Sequence, residues 1–139
     1  MIEESIRECY EFLRPRGSRL GYKTNQKSEF ELKEKLILSS SVTRCYSDHY
    51  DVGTYREPHI RAIDNVFHAL DGKGLPKGYY GPLIEAIKKT PIRGEGAGIG
   101  ETEYFRFKCF KNQNLHLEFK RLDLLAKFNS VAGGMRLKP

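Results

Sequence analysis

EYFRFKCFKNQNLHLEFKRLDLLAKFN, residues 103–129, has the clearest structural pattern in the chain. Apolar side chains alternate with polar ones over residues 105–109 and again over residues 115–119, which is the two-residue period of strands with one buried face. The Asn-Gln-Asn segment at 112–114 predicts a tight turn between these strands. Apolar residues then recur at helical spacing from 122 to 128. The stretch therefore predicts a β-hairpin followed directly by a helix.

The remaining sequence predicts further helices and a buried strand. Apolar residues at three- and four-residue spacing indicate helices over residues 2–13 and 58–70, and a third helix begins at Pro82, where a missing amide hydrogen costs little. The short apolar run at residues 35–38 suits a buried strand. The segment RGEGAGIG, residues 93–100, lacks the strand before it and the helix after it that a phosphate-binding loop requires, so we expect a mobile loop there.

Together these elements predict an α+β fold, with a small, mainly antiparallel sheet, helices packed on one face, and a C-terminal β-hairpin followed by a helix. A chain of 139 residues is long enough for one domain with one core. We therefore expect a single domain over residues 1–139. Within it, residues 1–28 would form an N-terminal helix and a basic loop, residues 29–132 the core, and residues 133–139 a loose tail.

The composition favours a soluble, cytoplasmic protein. Hydrophobic residues make up 39% of the chain, which is enough to form a core, and no apolar run approaches the length of a membrane span. The first ten residues, MIEESIRECY, are too polar for a signal peptide. The three cysteines, Cys9, Cys45 and Cys109, have neither the spacing of a metal site nor that of a disulfide framework. We therefore expect no membrane association, no metal and no cofactor.

The charge is unevenly distributed and predicts nucleic acid as the partner. The net charge is +6, and the excess cations cluster in the N-terminal loop and in the hairpin. On the first hairpin strand, aromatic and cationic side chains alternate on one face, an arrangement that can stack bases and neutralise phosphates. The predicted nucleic-acid-binding residues are Arg16, Arg19, Lys23, Tyr104, Arg106, Lys108, Lys111, His116 and Lys120.

Two further patterns leave catalysis open. His116 lies on the cationic side of the hairpin, where it could act as an acid or a base beside a phosphate, as a ribonuclease-like toxin would require. Glu101 and Glu103 resemble the Glu-x-Glu pair of arginine-specific ADP-ribosyltransferases, whose carboxylates stabilise a cationic ribose centre. That resemblance would also recruit Arg19 and the Ser-rich residues 38–41. Binding is favoured over catalysis, so no residue is assigned a catalytic role.

The hairpin and the helix after it resemble a known family. The matching residues are Phe105, Phe107, Phe110, Lys111, Asn112, Asn114, His116, Phe119 and Leu122 to Phe128. They are similar to the C-terminal signature of an uncharacterised bacterial domain carried on phages, plasmids and other mobile elements, often in or beside DNA adenine methyltransferase genes. The similarity extends over residues 20–132. It implies a context of mobile DNA, but no methyltransferase motif is present, and methylation itself is not implied.

These observations lead to three hypotheses about function. The first is a non-catalytic nucleic-acid-binding protein that serves a mobile genetic element as an accessory or regulator. The second is an inhibitor or partner-binding protein that acts on a host nucleic-acid enzyme. The third is a small enzyme, either a ribonuclease-like toxin or an ADP-ribosyltransferase.

Overall fold

The computed structural model describes most of the chain, namely residues 2–13, 26–28, 31–44, 48–76, 78, 80–92 and 97–133. Its elements in chain order are α1 (Ile2–Leu13), β1 (Gln26–Ser28), β2 (Glu31–Leu32), β3 (Lys35–Leu38), β4 (Val42–Thr43), β5 (Asp51–Val52), α2 (Glu57–Leu70), α3 (Pro82–Lys88), β6 (Gly98–Glu101), β7 (Phe105–Cys109), β8 (Leu115–Phe119) and α4 (Leu122–Ala132). No helix in this described part of the chain has the length and apolar character needed to cross a membrane.

The central feature is a four-stranded antiparallel sheet with the strand order β3-β8-β7-β6. Strands β7 and β8 form the predicted hairpin, in which Phe107 lies opposite Leu117. The turn between them places Gln113 at a φ of 75°, a left-handed conformation typical of tight turns. Strand β3 pairs with β8 on one side of the hairpin, and β6 pairs with β7 on the other. The predicted α+β fold and the hairpin–helix unit are confirmed.

The helices pack against one face of this sheet around a cluster of aromatic rings. Phe67 of α2 lies at the centre of the cluster, with its ring centroid 5.3 Å from that of Phe105, 5.1 Å from that of Phe119 and 5.8 Å from that of Phe128. All four side chains are at most 1% exposed. Helix α1 packs in turn against α2 and α4. Because these rings come from two helices and two strands, their burial fixes the helical layer on the sheet.

Gly98 and Gly100 belong to a strand, so the prediction of a loop is wrong for this part of the glycine-rich segment. A Cβ at Gly100 would lie 3.0 Å from both Cε atoms of Phe107, and one at Gly98 would lie 2.8 Å from Cε2 of Tyr50. Glycine is required at these positions because aromatic rings occupy the space of a side chain. Residues 93–96 of the predicted loop lie outside the described residues.

Candidate binding face of the antiparallel sheet

The sheet face opposite the helices bears a cavity of about 880 Å³. Alternate residues of the four strands point towards it, because successive side chains of a strand point to opposite faces. We call this surface the open face. Its outward-pointing residues are Lys35, Ile37, Ile99, Glu101, Arg106, Lys108, His116 and Glu118. His116 and Glu118 are half-buried, and the other six are exposed.

Four charged side chains form a row across the open face, one from each strand. The register places Glu118 between Lys35 and Arg106. It places Arg106 in turn opposite Glu101. The nitrogen–oxygen distance is 3.9 Å between Lys35 and Glu118, and it is 3.7 Å from Arg106 to each carboxylate. We call this row the charge ladder. Its two cations and two carboxylates cancel, so it contributes no net charge to the open face.

Lys120 extends this pairing beyond the ladder. Its Nζ lies 3.1 Å from a carboxylate oxygen of Glu101 and donates a hydrogen bond to the carbonyl of Thr102 at 2.9 Å. Acids on neighbouring strands therefore oppose Arg106 and Lys120, two of the predicted nucleic-acid-binding residues. Lys108, by contrast, makes no ion pair with any residue that the structure describes.

A second row on the open face has apolar ends and a polar centre. The register places His116 between Ile37 and Lys108, and Lys108 opposite Ile99. Ile99 is 70% exposed and Ile37 is 38% exposed, so both present apolar surface on the open face. The ring of Phe110 lies 4.4 Å from that of His116, centroid to centroid. The row thus combines apolar contact, a ring pair and the cation Lys108, with which no described carboxylate pairs.

The environment of His116 keeps its imidazole neutral at neutral pH. Partial burial, reinforced by the nearby charge of Lys108, lowers the pKa of His116 below its ordinary value of 6.5. A neutral imidazole can accept a proton or a hydrogen bond from a ligand on this face.

Tyr104 does not belong to the open face, and its predicted role in stacking a base is wrong. Its side chain is fully buried, and its hydroxyl donates a 2.7 Å hydrogen bond to Asp71 near the end of α2. Its ring packs edge-on against His68. Burial, with a contribution from Asp71, raises the pKa of Tyr104 to about 12. The residue precedes β7, so the alternation of that strand does not extend to it.

The other predicted site residues are dispersed. Lys111 is exposed in the turn between β7 and β8. Glu103 pairs with Lys73 at 2.5 Å, whereas Glu101 belongs to the charge ladder. The two carboxylates of the Glu-x-Glu pattern therefore have separate cationic partners. The predicted binding residues Arg16, Arg19 and Lys23 lie outside the described residues.

Four residues of the open face were not among the predicted site residues, namely Lys35, Ile37, Ile99 and Glu118. Alternation does place Glu118 on the outer side of its strand. Its neighbour Arg106 lies on the other strand of the hairpin, whereas its pairing with Lys35 joins segments that lie about 80 residues apart in the chain. No local pattern in the sequence encodes that pairing. Among the described residues, no group of histidine, cysteine and carboxylate side chains could hold a metal ion.

The fold and the open face define an α+β domain whose candidate binding site is the exposed face of an antiparallel sheet. Residues 1–137 match the family model described as a domain of unknown function (DUF4942), and the chain belongs to this family. The match includes the N-terminal helix as well as the hairpin. The resemblance seen in the hairpin and final helix is thus confirmed as that of an uncharacterised domain. No curated protein matches the chain, and no solved structure matches it.

Proposed function

We propose that the protein binds a single strand of nucleic acid on the open face. The observation that supports this best is a concave surface lined by Lys108, which has no ion-pair partner among the described residues, and by His116, whose ring lies against that of Phe110. Proteins that bind single strands place cations along the backbone and rings against the bases. Ile37 and Ile99 add apolar surface at the two edges of the sheet.

The charge ladder favours a single strand over a duplex as the ligand. Duplex binding depends mainly on many phosphate contacts by unpaired cations. The open face has three cations, Lys35, Arg106 and Lys108, against the two carboxylates of Glu101 and Glu118. A single strand also exposes the faces of its bases, which rings and apolar side chains bind without charge. We therefore expect a shallow dependence of affinity on salt.

The proposed role is that of an accessory or regulatory protein of a mobile genetic element, located in the cytoplasm. The support for this role is the similarity of residues 104–129 to a domain carried on phages and plasmids, often beside DNA adenine methyltransferase genes. An accessory or regulatory protein in that setting would use the open face to bind nucleic acid.

Lys108→Ala is expected to weaken the binding of a fluorescently labelled single-stranded oligonucleotide several-fold, because Lys108 is the cation of this face that no described carboxylate opposes. The slope of log affinity against log salt should become shallower by about 0.7, the value for one phosphate contact on a single strand. Fluorescence anisotropy over a series of salt concentrations measures both quantities. Lys127→Ala, which removes the same charge from an exposed position on α4, is the matched control and should leave both unchanged. Equal losses in the two variants would mean that only net charge matters.

Glu101→Gln is expected to strengthen the binding of the same oligonucleotide, because it releases Lys120 from its carboxylate and leaves Arg106 with Glu118 as its one described acidic partner. The salt slope should steepen by about 0.7 for each released cation that contacts a phosphate. Glu8→Gln changes the net charge equally at an exposed position of α1 and serves as the control. If the two variants bind alike, the ladder does not restrain those cations.

A protein partner is the second candidate, and the paired charges together with the exposed Ile99 favour it. A partly apolar surface whose charges are mostly paired suits contact with a protein better than contact with a polyanion. The two candidates differ in one measurement. If no single-stranded oligonucleotide binds at low salt while the protein is folded, the nucleic-acid proposal is wrong and the partner-binding hypothesis is preferred.

A further inference from the structure

We propose that the open face cleaves the bound strand when that strand is RNA, with His116 as the general base. This inference rests on the proposed binding function and adds a reaction to it. The reaction is the attack of a ribose 2′-hydroxyl on the adjacent phosphate, which requires a base beside the hydroxyl and cations beside the phosphate. His116, Lys108 and Arg106 supply these groups on one hairpin.

The hairpin register sets these groups at fixed positions. His116 of β8 lies directly opposite Lys108 of β7, and Arg106 precedes Lys108 by two residues on the same strand face. Residues two apart on a strand are separated by roughly 7 Å. A phosphate that contacts Lys108 is therefore within reach of the Arg106 side chain, and its ribose can lie against the imidazole. The side chain of Arg106 is 59% exposed, so a ligand can approach it.

The reaction needs no group other than those of the open face and solvent. The neutral imidazole of His116 takes the proton of the 2′-hydroxyl while the 2′-oxygen forms a bond to phosphorus. The bond from phosphorus to the 5′-oxygen of the next nucleotide breaks, and the ammonium of Lys108 donates a proton to that oxygen. Arg106 stabilises the negative charge on the phosphorane oxygens. The products are a 2′,3′-cyclic phosphate and a 5′-hydroxyl end, and solvent then restores both protein groups.

The surroundings of His116 suit a base. The charged groups nearest to it are Lys108 on β7 and Glu118 on its own strand, while Ile37 faces it from β3. Burial and the charge of Lys108 lower the pKa of His116, so the form able to accept a proton predominates at neutral pH. A rate that needs this form should rise with pH and reach a plateau, with a midpoint below the ordinary value of 6.5.

The other three histidines, His49, His59 and His68, do not line the cavity. The ring of His59 is stacked 4.2 Å from that of Phe12 on α1. His49 lies in an exposed segment beside a neighbouring aspartate. His49→Gln therefore makes the same chemical change as His116→Gln at a position outside the open face, and it is the matched control.

The test incubates the purified full chain with a single-stranded RNA of mixed sequence in EDTA and follows the fragments by denaturing gel and mass spectrometry. The wild type should produce fragments that end in a 2′,3′-cyclic phosphate. His116→Gln should lower the rate at saturating RNA by about 100-fold or more, the usual loss when a general base is removed. His49→Gln should cleave at the wild-type rate. An RNA whose riboses are 2′-O-methylated should bind and remain intact.

Each outcome separates the reaction from the binding. If wild-type protein binds the RNA and leaves it intact, the catalytic inference is wrong and the proposed binding function stands. If neither RNA nor DNA binds, both are wrong. Equal cleavage by wild type and His116→Gln contradicts the role of His116 and points to a contaminating nuclease. A rate that falls as pH rises through the range below 7 contradicts its role as a base.

Discussion

Gly100→Ala is expected to lower the free energy of unfolding by about 3 kcal/mol, near the upper end for overpacking a well-filled core. The new methyl group would lie 3.0 Å from both Cε atoms of Phe107, and closer still to Cζ. Phe107 is 1% exposed and cannot move outwards, because the core surrounds it. Urea denaturation followed by circular dichroism measures the change as a shift of the midpoint at constant slope.

Two further variants test whether the clash with Phe107 is the cause. Ile99→Ala alters the adjacent residue of the same strand, but that side chain is 70% exposed, so the change should stay within about 0.5 kcal/mol. Phe107→Leu in the Gly100→Ala background should restore part of the lost stability, because it removes the ring that the methyl group meets. The double variant would then be more stable than the sum of the two single changes predicts. Strict additivity would contradict the proposed contact.

Gly100 also shows why the sequence predicts the wrong structure for part of the fold. Four glycines at alternate positions predict a flexible loop, since glycine has the greatest backbone freedom. In β6 the same alternation is the two-residue period of a strand, with glycines on the side where aromatic rings lie. The rings that require glycine come from Tyr50 and Phe107, which are distant in sequence or on another strand. Local propensity therefore favoured the wrong structure, and tertiary packing determined the right one.

The hairpin could be predicted because its information is local. Both strands alternate in polarity, the turn lies between them, and the register follows from the turn. The outward positions of Arg106, Lys108 and His116 therefore followed from sequence alone. Their partners followed only in part, because Glu118 opposes Arg106 within the hairpin itself, whereas Glu101 reaches Arg106 only after β6 has paired with β7. The candidate surface was thus predictable, whereas its charge balance was not.

Asp64→Ala is expected to lower the free energy of unfolding by about 3 kcal/mol, because it leaves a buried hydrogen-bond donor unsatisfied and opens a small cavity. Asp64 of α2 is fully buried, and its Oδ2 accepts a 2.9 Å hydrogen bond from the backbone N–H of Leu83 at the start of α3. Its Oδ1 lies 3.4 Å from Nδ1 of His68, four residues later on the same helix, as the spacing in the sequence allows. Removing the carboxylate leaves the N–H of Leu83 without its partner.

Asp64→Asn separates this hydrogen bond from the charge. The amide oxygen can still accept from Leu83, so the variant should stay within about 1 kcal/mol of the wild type under mildly acidic conditions.

Burial is the main cause that raises the pKa of Asp64, so the folded protein retains a proton that the unfolded chain has lost. Stability from this group is therefore present at low pH and falls as pH rises from the unfolded value of about 3.9 through the raised folded value. Asparagine does not titrate, so the stability of Asp64→Asn relative to the wild type should increase as pH rises over that range. Urea denaturation at a series of pH values measures the free energy of unfolding of both proteins. If the difference between them stays constant over this pH range, Asp64 ionises in the folded protein without destabilising it.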